Sequence, residues 1–336
     1  MGKMIIATVL SLIVVFSNTS CGNNEEASAS ANEDIDSLLE LYPDSIPLLL
    51  KKGQNLTDEY LYDDAMSFVT KAFRLDTNKI ASRHLYAELL NNRMKRTVRD
   101  VQDAQRHYLV VIKAEPKNTK ALVGLASTYS QQRDYDKSFK YINDALRIDK
   151  RYRDAYVLKG TNYRDLGEVD LMKSSYETAI QQDPEFFAGY FELGRIYQME
   201  QDKICIEYFT TALTLKPNDP EVRYQLAYSK QHFGQVESAM SIYREMAADT
   251  VDFYVCHALF QLGHIKQFYE DDYDSAKYYY GRAIKKDTTF VEAWHNLGVC
   301  YDLTGDKEHA LRSFGKALKH SNQEFTLSRQ YADSIR

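Results

Sequence analysis

Turn-forming residues are scarce in this chain, with 14 glycines and 6 prolines in 336 residues. That is too little material for the closely spaced turns of a β-sandwich or barrel. Cysteines number only four and include no CxxC pair, so the usual zinc-finger spacing is missing. Basic residues fall short of acidic ones, 42 against 48, for a formal charge of −6. Such a balance does not supply the basic face that phosphate backbones need, and no nucleic-acid partner is expected. The chain has no Walker-type glycine-rich loop, no HExxH and no GxSxG. The common nucleotide, zinc-hydrolase and serine-hydrolase signatures are therefore missing. What is abundant is tyrosine, at 26 residues, within a composition that is 44% hydrophobic and 27% charged. A chain poor in turn residues and rich in Tyr, Ala and Leu reads as soluble, folded and all-helical.

The N-terminal segment reads as an address. Lys3 precedes a twelve-residue apolar run, Ile5 to Phe16. The run is shorter than the roughly 20 residues of a membrane-spanning helix, and has the length and flanks of a secretory signal. Ser17, Asn18, Thr19, Ser20, Cys21 and Gly22 follow. A small residue directly before a cysteine, just past the apolar core, resembles the lipobox of bacterial lipoproteins. Asn18 stands where that family usually has an aliphatic residue, a relaxation found in Bacteroidetes-like groups. The resemblance implies a signal peptide over 1–20, a lipidated Cys21, and a place in the cell envelope. The expected location is the outer membrane, periplasmic or surface-facing. A plain secreted chain cut near Ser20 is the other reading of the same residues. Residues 21–32, with Glu25 and Glu26 among Asn, Ala and Ser, read as a flexible acidic tether.

The remainder repeats itself. Trp294, Leu297, Gly298 and Tyr301 are followed by Ala310, Phe314 and Ala317. Closely similar spacing recurs at Tyr156, Gly160, Tyr163, Met172, Tyr176, Ala179 and Pro184. It recurs again at Tyr190, Leu193, Gly194, Tyr197, Cys205, Phe209, Ala212 and Pro217, with the second half one residue early. This pattern resembles the tetratricopeptide repeat, a helix–turn–helix unit of 34 residues. A small residue on helix A admits a bulky one from helix B, and proline stops helix B. The resemblance implies an all-α, right-handed superhelical solenoid of antiparallel helix pairs, about eight repeats long. The organisation expected is a half-repeat at 33–45, a solenoid over 46–324 and a capping helix at 325–336. The main irregularity is an insertion of about five residues around Arg93 to Asp100, which carries the basic run Arg93, Lys95, Arg96 and Arg99. A solvated loop and a contact for anionic lipid or an acidic partner are both open for it.

Candidate chemistry is thin. His257 and His264 share a helical face and His295 lies on the next helix A, but the tight ligand spacing of zinc motifs is absent and no metal or cofactor is expected. Glu270, Asp271, Asp272 and Asp274 lack the glycine and terminal acid of a calcium loop, and read as helix-capping acids. Cys205, Cys256 and Cys300 read as free thiols.

The family resemblance places binding on the inner face, at repeat positions two, five and nine of helix A. Carried onto this chain, those positions hold Phe187, Phe191 and Arg195, then Glu221, Tyr224 and Tyr228. They continue with His257, Phe260 and His264, and then Glu292, His295 and Val299. The earlier repeats put Ala81, His84 and Glu88, and then Lys120, Val123 and Ser127, in the same places, a smaller and more mixed surface. Aromatics on a concave face suit an extended or helical peptide. The candidate contacts are Phe187, Phe191, Arg195, Tyr224, Tyr228, His257, Phe260, His264 and His295. Gly124, Leu158 and Glu192 stand where a carboxylate clamp of some eukaryotic relatives has asparagine, so that ligand mode is not expected. The chain reads as a non-enzymatic scaffold or adaptor for a protein or peptide ligand, anchored to the membrane through Cys21. Alternatives are an accessory, pilotin-like subunit of a secretion, motility or cell-wall machine, and a hydrolase built on the histidines.

Overall fold

The computed structural model describes residues 35–248, 254–322 and 324–335. The signal and tether expected over 1–32, with Cys21, lie outside the described residues, as do the first two residues of the half-repeat. Within them all regular structure is helical, eighteen helices with no strand.

The chain forms two compact units, one ending at Ala155 and the other starting at Tyr156. The first unit holds a short α1 (35–41), then three pairs: α2 (Ile46–Asp58) with α3 (Tyr62–Leu75), α4 (Ile80–Asn92) with α5 (Val98–Ala114), and α6 (Thr119–Gln131) with α7 (Tyr135–Ile148). The second unit begins within the first turn of α8 (Arg153–Leu166), which pairs with α9 (Val169–Gln182). It continues with α10 (Phe187–Met199) and α11 (Cys205–Leu215), then α12 (Pro220–His232) and α13 (Val236–Ala248). The last pairs are α14 (Val255–Phe268) with α15 (Tyr273–Lys286) and α16 (Val291–Leu303) with α17 (Lys307–His320), and α18 (Thr326–Ile335) ends it. Eight helix pairs in succession agree with the all-α, repeated-pair architecture that the spacing predicts.

How a chain so short of glycine and proline makes so many turns is visible in the side chains. Between one pair and the next, Asp76, Asp149, Asp183 and Asp287 each accept a hydrogen bond from the backbone N–H two residues on, at 2.8–3.1 Å. These aspartate turns substitute a carboxylate for a backbone acceptor and need no special residue. Within a pair, one residue after helix A adopts the left-handed conformation. Gly167, Gly234 and Gly305 do so freely, whereas Tyr60, Arg133, Gln201 and Asp271 do so against the Cβ penalty. The second pair is the exception. Its connection is lengthened to residues 93–97, and Thr97 opens α5 with a reciprocal capping box to Asp100. The expected insertion is therefore a loop closed by a cap. Asp272 likewise caps α15 by accepting from the Ser275 N–H at 3.1 Å, the structural role expected of that acidic cluster.

Packing follows the small-against-large rule. A Cβ placed on Gly194, Gly263 or Gly298 would come within 2.7 Å of the Phe209, Tyr280 or Phe314 ring of the paired helix. Gly53 meets Val69 in the same way in the first unit. The small residues of the B helices, among them Ala72, Ala145, Ala212 and Ala283, are fully buried and let neighbouring helices approach closely. Cys205 takes one of these places, and Cys205, Cys256 and Cys300 are all free thiols.

Candidate functional site

Helices α10, α12 and α14 belong to one unit, and each carries aromatic residues four apart: Phe187 and Phe191, Tyr224 and Tyr228, Phe260 and His264. At 3.6 residues per turn, such pairs lie one above the other on a single face. On α10 the Phe187 and Phe191 rings are parallel, 6.1 Å apart. The Lys216 ammonium sits 4.1 Å from the Phe187 ring centre, and the Arg195 guanidinium 5.9 Å from that of Phe191. On α12 and α14 the rings form a connected stripe. Tyr224 packs on Tyr228 at 6.5 Å, on Tyr254 at 5.3 Å and on His257 at 6.0 Å. His257 and Phe260 both meet Phe290, at 5.4 and 5.0 Å, and His264 meets Phe268 at 4.5 Å.

Polar side chains tie these helices together beneath the rings. Gln198 donates to the Ser229 hydroxyl at 2.8 Å, and Gln261 donates to the Tyr224 oxygen at 3.2 Å. The Gln231 amide nitrogen lies 3.5 Å from His264 Nδ1. Burial holds the His264 imidazole below its ordinary pKa, so it is neutral near pH 7 and acts as a ring with a hydrogen-bonding edge. Burial likewise raises the Tyr224 phenol. The surface is therefore aromatic, with the Lys216 and Arg195 cations over its rings at the α10 end. Tyr228 is its most open candidate ring, at 42% exposure.

Two candidate residues stand apart from the stripe. Arg195 is exposed and turns toward a separate hollow of about 280 Å3, which it shares with Arg164, Met172, Glu192 and Met199. His295 departs from the expectation outright. It is only 8% exposed, with Nδ1 2.9 Å from the Ser328 hydroxyl, and its ring meets Phe314, Phe325 and Tyr331 at 5.2–5.5 Å. Helix α18 covers it, so His295 is a packing residue at the end of the stack. His257 and His264 thus share the stripe while His295 belongs to a separate ring cluster, and among the described residues no group of three His, Cys, Asp or Glu could hold a metal ion.

Position counting missed four aromatic residues. Tyr254 and Phe290 lie just before helices α14 and α16 and complete the stripe from outside the helical register. Phe268 and Tyr269, 58% and 51% exposed, extend it beyond His264. An aromatic residue immediately ahead of helix A, repeated at both places, was the signal available for the first two.

The corresponding face of the first unit differs in kind. Lys120 pairs with Glu88 at 2.9 Å. Asn91 donates to the Ser127 hydroxyl at 3.2 Å and accepts from the Gln131 amide at 2.8 Å. No aromatic stripe forms at Ala81, His84, Val123 or Ser127.

Comparison with known proteins agrees with the helix-pair geometry. Models described as tetratricopeptide repeat match residues 119–152, 154–186 and 291–323. The RNA polymerase-associated protein CTR9 of Caenorhabditis elegans is 25% identical over 227 residues, covering 66% of this chain and 20% of that protein. The chain thus spans about a fifth of the length of that relative. The C-terminal part of a TPR repeat-containing protein from Cytophaga hutchinsonii superposes with a TM-score of 0.59 at 16% identity, covering 72% of this chain and 96% of the other. Human IFIT1, in a structure with m7Gppp-AAAA, gives a TM-score of 0.51 at 16% identity, covering 89% of this chain and 79% of that one. Helix pairing, the glycine–aromatic interlock and the three matched segments converge: this chain carries tetratricopeptide repeats.

Proposed function

We propose that the aromatic face of α10, α12 and α14 binds a peptide segment of a partner protein, and that the chain acts as an adaptor at a bacterial envelope. Repeats of this family are in general non-catalytic scaffolds for protein–protein interaction. The observation that carries the finer reading is the stripe from Tyr228 through Tyr224, His257 and Phe290 to Phe260. It offers a large contact area on rings that packing already holds in place, so little side-chain entropy is lost on binding. An apolar ligand face with polar edges suits it, because Gln261 and His264 leave hydrogen-bonding groups beside the rings. A protein ligand is preferred to a nucleic acid because acids outnumber bases, 48 to 42, and because, among the described residues, the cations over the rings of this face are Lys216 and Arg195, both at the α10 end.

The envelope part rests on the sequence alone, on the apolar run ending at Phe16 and on Cys21 after Ser20. Lipidation there would hold the repeats at a membrane, with residues 22–32 as the tether, as an adaptor or pilotin-like subunit requires. Labelling with a fatty acid tests it: wild type takes up label and Cys21→Ala does not.

The binding test is a mild-detergent pull-down comparing wild type with Phe191→Ala/Tyr224→Ala/Tyr228→Ala, whose helicity is checked by circular dichroism. A partner kept by wild type and lost by the folded variant supports the stripe. Identical partners move binding elsewhere on the chain, and capture of capped or single-stranded RNA in place of protein overturns the choice of ligand.

A further inference from the structure

The lengthened connection between α4 and α5 leads into a helix that is itself longer than its neighbours. Helix α5 has 17 residues, against 14 in α3 and 14 in α7, the B helices on either side of it. All three end three residues after their last packing position, which is Ala72, Val111 and Ala145 in turn. At the other end, Ala65 and Ser138 are the fourth residues of α3 and α7, whereas the equivalent Ala104 is the seventh of α5. The extra turn, about 4.5 Å of helix, is therefore added on the side of the 93–97 connection. It carries that connection beyond the packed part of the pair.

The projection displays apolar tips among cations. Met94, 89% exposed, is the most open large apolar residue among those described, and Val98 is 75% exposed. Tyr60 and Leu61, also exposed, occupy the turn between α2 and α3. They stand just before Asp63, which pairs with Arg93 at 3.7 Å, so the two connections are neighbours. Lys95, Arg96 and Arg99 are exposed around Met94 and Val98. Over residues 93–106 five cations, Arg93, Lys95, Arg96, Arg99 and Arg106, face two acids, Asp100 and Asp103. Both acids are engaged, Asp100 with Arg93 at 3.8 Å and Asp103 with Arg99 and Arg106. Lys95 and Arg96 have no acidic partner among the described residues. The display is also held in place. The Thr97 N–H donates to the Asp100 carboxylate at 2.7 Å, the Thr97 hydroxyl accepts from the Asp100 N–H at 3.2 Å, and Arg93 bridges to α3.

We propose that this connection docks the first unit on an anionic lipid bilayer. Met94 and Val98 enter the headgroup layer with Tyr60 beside them, and Lys95, Arg96 and Arg99 lie against lipid phosphates. Apolar side chains flanked by cations suit such an interface, where the first leave water and the second meet a fixed negative surface. A projecting tip offers a peptide no groove to lie in, whereas a bilayer surface closes around it. Length permits the contact. Thirteen residues separate Cys21 from Ile35, a span of at most about 45 Å when extended, so a chain anchored at Cys21 keeps the first unit near the membrane. The envelope reading thus supplies the membrane on which the proposal rests, but the contact is a property of the first unit and is tested without the anchor.

Vesicle flotation tests it on the chain from residue 22 onward, with helicity checked by circular dichroism. That chain keeps every described residue and lacks the apolar run and Cys21, so no anchor can stand in for the loop. Vesicles of phosphatidylcholine mixed equally with phosphatidylglycerol are compared with phosphatidylcholine alone. Wild type should float with the mixed vesicles, less so as salt rises, and should not float with phosphatidylcholine. Lys95→Glu/Arg96→Glu should weaken binding by at least about tenfold, since it sets like charges against the lipid. Met94→Ser/Val98→Ser should also weaken it by about tenfold while leaving the salt dependence in place. Lys51→Glu/Lys79→Glu, the same change of charge elsewhere in the unit, should leave binding nearly unchanged. Failure of wild type to float, or equal flotation of the Lys95/Arg96 variant, overturns the proposal. So does an equal loss in the Lys51/Lys79 variant, which would make net charge and not the loop responsible. Capture of polyglutamate without flotation would assign the basic run to an acidic protein and overturn the lipid. Flotation without fatty-acid label at Cys21 would remove the anchor and leave this contact standing, and label without flotation would do the reverse.

Discussion

The inner faces of the two units are built on the same helix-pair plan and present opposite chemistries. In the second unit, rings cover α10, α12 and α14, and burial holds the His264 imidazole and the Tyr224 phenol among them neutral. In the first, Lys51, Lys79 and Lys120 border a hollow that His84 also lines. The packing positions are nearly interchangeable between units: Gly53 on Val69 in one, Gly194 on Phe209 and Gly298 on Phe314 in the other. A repeat therefore separates two tasks along one helix A. The side that meets helix B fixes the fold, and the side that faces inward is free to vary, so one chain can offer an apolar and a cationic surface without a second fold.

The comparison can be broken most severely from below. Phe209→Ala removes the ring that fills the space over Gly194 and supports Phe191, 6.0 Å away. It should destabilise the second unit by about 3–5 kcal/mol. In hydrogen exchange, protection should fall in α10–α13 and persist in α2–α6.

Acid should act in the opposite order. Burial lowers both His84 and His107 in the first unit to about 4, from the ordinary 6.5 of an imidazole. His264 and His295 in the second unit are also lowered by burial. Each ring takes a proton in the unfolded chain that it refuses in the folded one. Stability is complete above about pH 6.5 and is lost as pH falls from there toward 4, on the order of 2–3 kcal/mol for each of the two most shifted rings. Protection of α4–α6 should drop before that of α10–α14 between pH 7 and 4.5, and His84→Gln/His107→Gln should flatten the difference.

Binding gives the next effect. Tyr228→Ala should weaken the partner of the second unit by about 2 kcal/mol, close to thirtyfold, measured by calorimetry, if its open ring is a hot spot. The smallest effect tests the likeness of the units. Arg133→Gly in the first and Gln201→Gly in the second each relieve a left-handed residue, at φ of 60° and 57°. Each should raise stability by about 0.5–1 kcal/mol, net of the added freedom of the unfolded chain, seen as equal shifts of the denaturant midpoint.

Much of this architecture was legible in the residues. The glycine–aromatic spacing from Trp294 to Ala317 identifies the pairs because packing two helices this closely requires a small residue opposite a ring. The aromatic positions on α10, α12 and α14 follow from the same register. What stayed hidden depends on contacts between elements that the period does not link. His295 sits at a proper inner position, yet α18, too polar to announce where it docks, lies across it. Tyr254 and Phe290 reach the stripe from turns, where helical counting does not apply. The hollow of the first unit is bordered from three separate helices and a turn lysine, which no one segment reveals.

The interlock of glycine and ring also sets a clock. A phenyl ring turns over only if its surroundings briefly withdraw, and at Gly194 and Gly298 those surroundings are the backbone of helix A. Half-rotation of Phe209 or Phe314 therefore requires its helix pair to part, a collective motion far slower than the flipping of an exposed side chain. Split or broadened ring signals from these two residues would time the breathing of α10/α11 and α16/α17 separately, each pair keeping its own record of how often the stack loosens.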